Sequence, residues 1–139
     1  MFEYGNLQSS DVSSPQTSVH ACNPSNESQG SIIQTIVDTG AVKTCIPEST
    51  VEHLGDSLAY SEVLVRDANG NLTRRKTYFV DITIANNSYS NIEVVAIPKE
   101  YGLIGRDILN QERVVLNAPE EKWAFDCNNK VCPHYNTFQ

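Results

Sequence analysis

Cationic side chains are scarce in this chain. Its 139 residues carry 10 Lys and Arg against 17 Asp and Glu, a net charge of −7 with a pI near 4.8. That balance argues against nucleic acid as the main partner, because phosphate binding wants a basic face. Arg74-Arg75-Lys76 is the only basic run, and three such charges read more simply as a solvated strand face. Long apolar runs are lacking as well. No segment approaches the ~18–20 apolar residues that span a bilayer, and the N-terminus has no apolar stretch of the signal-peptide kind. A soluble chain with no membrane partner is expected, with the cytoplasm favoured, or a piece released from a longer precursor. Cysteine is sparse: Cys22, Cys45, Cys127 and Cys132 are too few for a disulfide scaffold. No Ser/His/Asp arrangement has supporting context, which removes the nucleophilic hydrolases.

What is present is enough for one domain with one core. Residues 1–30 hold seven Ser, three Asn, three Gln and no Lys or Arg. Their apolar residues show no period, so a flexible N-terminal arm is expected there. From residue 31 the texture turns to short β-branched runs broken by turn signals, the pattern of an all-β domain over 31–126. Strands are predicted over 31–37, 44–47, 62–67, 72–77, 78–84, 92–97, 113–116 and 122–125. One or two helical turns precede Gly55, and a short helix runs over 107–111. Asn69-Gly70 marks a hairpin, since both turn positions tolerate positive φ. Residues 127–139 are left as a C-terminal tail.

The chain makes most sense around Ile36-Val37-Asp38-Thr39-Gly40-Ala41. An apolar run delivers a carboxylate to a tight turn at the end of a buried strand. A lone acid there is costly to ionise unless donors support it, and Thr39 and the amides around Gly40 could do so. Such an acid suits general acid/base work on water. About 65 residues on stands Leu103-Ile104-Gly105-Arg106-Asp107-Ile108-Leu109.

These two landmarks, with the Asn69-Gly70 hairpin between them, resemble the retropepsin-like aspartic proteases, over roughly residues 32–126. The resemblance implies an all-β, closed-barrel domain with one short C-terminal helix, paired with a copy of itself as a two-fold homodimer. It implies that Asp38 is the catalytic aspartate, that Thr39 bridges to its counterpart in the partner, and that Gly40 binds substrate backbone. Ala68, Asn69 and Gly70 would form the tip of a flap over the substrate. Leu103 would line the side-chain pockets, with Tyr101 on the wall and Ala41 and Lys43 at the cleft. Arg106 and Asp107 would hold the dimer edge and the site's frame. The implied reaction is peptide-bond hydrolysis on a peptide or protein substrate, with no metal or organic cofactor.

Arithmetic on the residues demands the partner independently. Aspartic-protease chemistry uses two carboxylates sharing one proton, and the chain contains a single Asp-Thr-Gly. A two-fold axis through the site supplies the second. Ala41 has no hydroxyl to donate to a neighbouring carboxylate, so the working range is expected to be mildly rather than strongly acidic. Val42 and Lys43 depart from retroviral members, where the two positions after Gly-Ala are commonly acidic. Arg106 must therefore find another anion or face solvent, and an inward Lys43 would favour an acidic substrate side chain. The alternative from another class is a catalytically silent member used for dimerisation or peptide binding.

His20-Ala21-Cys22 and the Cys127…Cys132-Pro133-His134 segment match no strong zinc spacing. Free thiols, or a Cys127–Cys132 disulfide, are the plainer readings. Cys45 reads as a small core residue, His53 as a surface residue, and Trp123 as packing in the closing strand.

Overall fold

The computed structural model describes residues 1–9, 12–55, 58 and 60–126. Ten strands are arranged in the order β5-β6-β7-β4-β8-β3-β2-β1-β10-β9. In chain order they are β1 (Phe2–Gly5), β2 (Ser14–Asn23), β3 (Asn26–Val37), β4 (Cys45–Pro47) and β5 (Tyr60–Arg66). There follow β6 (Leu72–Ile84), β7 (Asn87–Ile97), β8 (Gly102–Ile104), β9 (Arg113–Asn117) and β10 (Lys122–Asp126). Among the described residues the helical elements are two four-residue α-helices, α1 (Glu48–Val51) and α2 (Arg106–Leu109), and two 3-10 turns, Glu52–Leu54 and Ala118–Glu120. Among the described residues no helix is long and apolar enough to cross a membrane.

The strands form where side-chain alternation meets a buried face. In β6, Val80, Ile82 and Ile84 point inward while Asp81 and Thr83 lie nearer solvent, the period of two that a sheet with one buried face imposes. β3 alternates through Ile33 and Thr35, then buries Ile36 and Val37 in succession as it enters the sheet between β2 and β8. β3–β8 and β4–β7 are parallel pairs. A further pairing of β2 with β6 links β6-β7-β4-β8-β3-β2 into a hydrogen-bonded ring. Inside it lie Val80, Val94, Ile104 and Ile108, all fully buried.

Residues 1–30 depart from the expected flexible arm. They form β1, β2 and the first part of β3, and Ala21 is completely buried. The reason is tertiary: β2 is paired on one side with β3 and again with β6, so Val19 and Ala21 face the core while Ser18 and His20 face outward. Polar side chains on one face of a doubly paired strand are no obstacle to order. The β6 region also runs as one strand of 13 residues rather than two.

The same core continues to the β1–β10 end of the sheet. Trp123 is wholly buried. Its ring stacks near Phe2, with centroids 4.5 Å apart, and meets Phe125 edge-on at 5.3 Å, geometries that aromatic quadrupoles favour. The indole N–H donates to the Gln16 carbonyl at 3.0 Å, so the packing reading of Trp123 describes it well. Cys127, Cys132 and His134, with the rest of the 127–139 tail, lie outside the described residues.

Candidate active site

β3 ends at Val37, and the Asp38 N–H continues its ladder by donating to the Ile104 carbonyl of β8 at 3.0 Å. The chain then turns. The Ala41 N–H closes the turn on the Asp38 carbonyl at 3.1 Å, and the Gly40 N–H donates to the Asp38 carboxylate at 2.9 Å. Asp38 is half-buried, whereas Thr39 and Gly40 are exposed. A carboxylate is thus presented at a rim, with one backbone donor already facing it.

The Gly105-Arg106-Asp107 segment clamps this turn from behind. The Arg106 N–H donates to the Ala41 carbonyl at 2.9 Å. Asp107 accepts from the Thr44 N–H at 3.0 Å, from the Thr44 hydroxyl at 2.7 Å and from the Ile108 N–H at 2.9 Å. The Thr44 hydroxyl accepts in turn from the Gly105 N–H at 3.1 Å. Glycine at 105 is dictated by proximity: a Cβ there would lie 2.5 Å from the Lys43 carbonyl carbon and 2.8 Å from the Thr44 nitrogen. Two segments distant in sequence therefore make one rigid base, with the hydrogen-bonding side chains satisfied inside it.

Arg106 itself is exposed, and its guanidinium donates to the Thr39 carbonyl at 3.4 Å. Leu103 sits mid-β8, opposite Ile36 and Cys45, and Tyr101 immediately precedes that strand under the Lys99 ammonium, which stands 5.5 Å from the ring centroid. Cys45 donates to the Lys43 carbonyl at 3.4 Å. Burial, then the Asp107 and Asp38 charges, push its thiol up to about 11, with Lys99 pulling the other way.

Lys43 does not stand alone at the cleft. Its ammonium pairs with Glu93 of β7, whose other oxygen accepts from the Thr77 hydroxyl at 2.9 Å. These two bonds hold the Glu93 carboxyl below its ordinary range. Nothing in sequence order linked Lys43 to Glu93, fifty residues away.

The hairpin joining β5 to β6 is built by a residue that sequence reasoning assigned to a strand. Asp67 accepts from both the Asn69 and Asn71 N–H groups at 2.9 Å, and its own N–H and carbonyl bond to Asn71 and Gly70. Gly70 adopts φ +84°, as the Asn-Gly signal foretold. The Asp-x-Asn spacing, in which a short carboxylate folds onto the following backbone, was the readable signal for Asp67. The β5 arm exposes Tyr60 and Leu64, so the hairpin stands out from the core. Ala68, Asn69 and Gly70 lie at its exposed tip.

A family model described as aspartyl protease matches residues 27–108, from the strand that carries Asp38 through the helix that carries Asp107. The chain belongs to the aspartyl protease family. Its fold is similar to the EIAV protease in complex with an inhibitor, with a TM-score of 0.54 and 20% identity over 70% of this chain and 86% of that one. A retropepsin-like aspartic protease from Rickettsia conorii gives 0.53 and 17%, over 81% and 80%. The simian foamy virus (mac) protease gives 0.50 and 20%, over 68% and 91%. At these identities the likeness is one of fold, and that fold is retropepsin-like. No curated protein sequence matches the chain.

Proposed function

We propose that this chain is a homodimeric aspartic endopeptidase in which each subunit contributes one Asp38. The observation that carries the reading is the presentation of Asp38. Its turn is braced by Ile104 and Arg106, its carboxylate is half-open to solvent, and the chain offers one such turn.

In the proposed reaction two Asp38 carboxyl groups share a proton across a two-fold axis, because like charges at such a distance cannot both ionise. The ionised carboxylate takes a proton from a water held between them. The water oxygen attacks the scissile carbonyl carbon while the protonated carboxyl gives its proton to the carbonyl oxygen. The tetrahedral intermediate then expels the amine, which receives a proton from the dyad, while one hydroxyl of the intermediate gives its proton to the dyad as the product carboxyl forms, restoring the shared proton. Thr39 would join the two turns beneath the dyad, and Gly40 would offer backbone to the substrate. An extended peptide would lie between this floor and the Ala68-Asn69-Gly70 tip, bonded as an added strand is, with Leu103 and Tyr101 at its side chains. Arg106 and Asp107 would act as positioning residues.

Lys43 enters this reading paired with Glu93, so a preference for acidic substrate side chains is no longer part of it. A paired ammonium offers a substrate carboxylate much less than a free one. Ala41 keeps the expected working range mildly acidic.

The test is cleavage of a random peptide library across pH by wild type and by Asp38→Asn. Cleavage abolished by that change supports the assignment. Cleavage that survives it overturns the mechanism, and peptide binding by a wild type that never cleaves favours a silent binding module.

A further inference from the structure

The β5–β6 hairpin leaves the body of the sheet at one residue. Over 72–76, β6 is paired with β5 alone, whereas Thr77 lies between Ser61 of β5 and Val95 of β7. Outside that point the hairpin has little core to lean on. In β5 every residue but Val63 is exposed, and residues 72–76 alternate between exposed and half-buried. Thr77 is the first of β6 to be fully buried. A bare two-stranded ribbon is marginal by itself, so its direction is set where it joins the sheet.

That junction is held by a polar bridge. The Thr77 hydroxyl donates to Glu93 at 2.9 Å, and the other Glu93 oxygen receives the Lys43 ammonium. Strand register puts the three together. Glu93 lies opposite Phe79 in the β6–β7 ladder, diagonal to Thr77, at a spacing that long side chains reach. On its other flank Cys45 of β4 lies beside Val95 in parallel register, so Lys43 comes level with Glu93 two residues earlier. Lys43 belongs to the 41–44 segment that Arg106 and Asp107 clamp behind the Asp38 turn. A buried hydroxyl needs its acceptor, and here the acceptor reaches on to the base of the site. The surface Arg75–Glu48 pair, 3.4 Å apart, is a weaker tie between hairpin and body.

We infer that Glu93 is a positioning residue, which ties the root of the hairpin to the base of the Asp38 turn and so fixes how the 68–70 tip stands to the substrate. This rests on the reading of the hairpin as the substrate's cover. Lys43 gains a role that involves no contact with substrate, since its charge holds the Glu93 carboxylate in place. Without the tie the hairpin spends less time in the competent position, and apparent affinity falls by that fraction.

The experiment is amide relaxation on the full chain, with cleavage kinetics of one peptide selected from the library on the same samples. Thr77→Val keeps the shape and deletes the hydroxyl, Thr77→Ser keeps the hydroxyl and deletes a methyl, and Glu93→Leu removes the acceptor. Thr77→Val carries the test alone should Glu93→Leu fold poorly. Tyr89→Phe, which deletes the Tyr89–Glu112 bond near the start of β7, is the control. The expected result is a fall in order parameters over 61–66 and 72–76 in Thr77→Val and Glu93→Leu. KM should rise about fivefold to tenfold in both, with kcat within about twofold. Thr77→Ser and Tyr89→Phe should keep wild-type values. Order parameters and KM unchanged in Thr77→Val and Glu93→Leu overturn the tie and leave the dyad standing. A Thr77→Ser protein as loose as Thr77→Val makes packing the cause, and that too overturns it. A looser hairpin with unchanged KM removes Glu93 from the reaction and overturns its positioning role. A hairpin loosened as expected in a protein that never cleaves supports the tie while the protease reading fails.

Discussion

Asp107 and Thr44 are bonded through both backbone and side chain: the Thr44 N–H lies 3.0 Å from each carboxylate oxygen, and its hydroxyl donates at 2.7 Å. This contact fastens the segment after the Asp38 turn to the helix beyond β8. Removing the acceptor would leave the Thr44 N–H and hydroxyl donors without that partner in a buried place, while the Ile108 N–H keeps its bond to the Gly105 carbonyl at 3.2 Å. Asp107→Ala should lose about 2–4 kcal/mol of stability, and Asp107→Asn, which keeps one oxygen, about half of that. Urea unfolding at fixed protein concentration measures both. An Asp107→Ala protein as stable as wild type would mean the clamp is ornamental.

Gly105 and Gly70 separate two reasons for glycine. At 105 an added methyl runs into the Lys43 and Thr44 backbone, with nowhere to move. At 70 the space is open and the requirement is positive φ alone. Gly70→Ala should therefore cost about 1 kcal/mol, and Gly105→Ala about 3 or more. Thermal melts of the two variants rank them directly, and equal losses would refute the close approach at 105.

Cys45 should be a poor nucleophile. With its thiol pushed up to about 11, the thiolate is on the order of one part in ten thousand at pH 7. Maleimide labelling followed by peptide mass mapping should find Cys45 about a hundredfold slower than an ordinary free thiol. Unfolding in urea should restore the ordinary rate. Fast labelling of the folded protein would place the thiol in a different environment.

The Lys43–Glu93 pair carries a definite pH sign. The folded Glu93 carboxyl is held below its ordinary range, first by Lys43 and then by Thr77. Its contribution is therefore fully present above the unfolded value, near about 4.3, and is lost as pH falls through the folded value. Glu93→Gln should cost less than about 1 kcal/mol at pH 7, and the difference from wild type should vanish in strong acid. Stability curves for both proteins from pH 7 down to about 2 test this. A gap that widens with acid would contradict the pairing.

The parts legible in the sequence were those whose signals are local. Val37-Asp38-Thr39-Gly40 announced a strand and a tight turn, whereas the three-residue β8 that meets it was not among the predicted strands. Asn69-Gly70 announced the hairpin, and Gly55, at φ +92°, ended its helical segment as expected. What stayed hidden depends on partners far away. β2 buries only Val19, Ala21 and Asn23 in its inner row at the β3–β6 junction. So weak an apolar alternation becomes a strand only once β3 and β6 flank it. The Glu93 partner of Lys43 was hidden for the same reason, being set by the parallel β4–β7 pairing, which puts Cys45 beside Val95, rather than by any neighbour in sequence.

The most direct measurement is a titration of Asp38→Asn protein into a fixed amount of wild type, read as peptide cleavage under conditions where subunits exchange. A dyad shared between subunits predicts that activity falls as mixed dimers accumulate, and that wild-type specific activity drops on dilution. Activity indifferent both to added Asp38→Asn chain and to dilution would show that one subunit suffices, and would contradict the half-site.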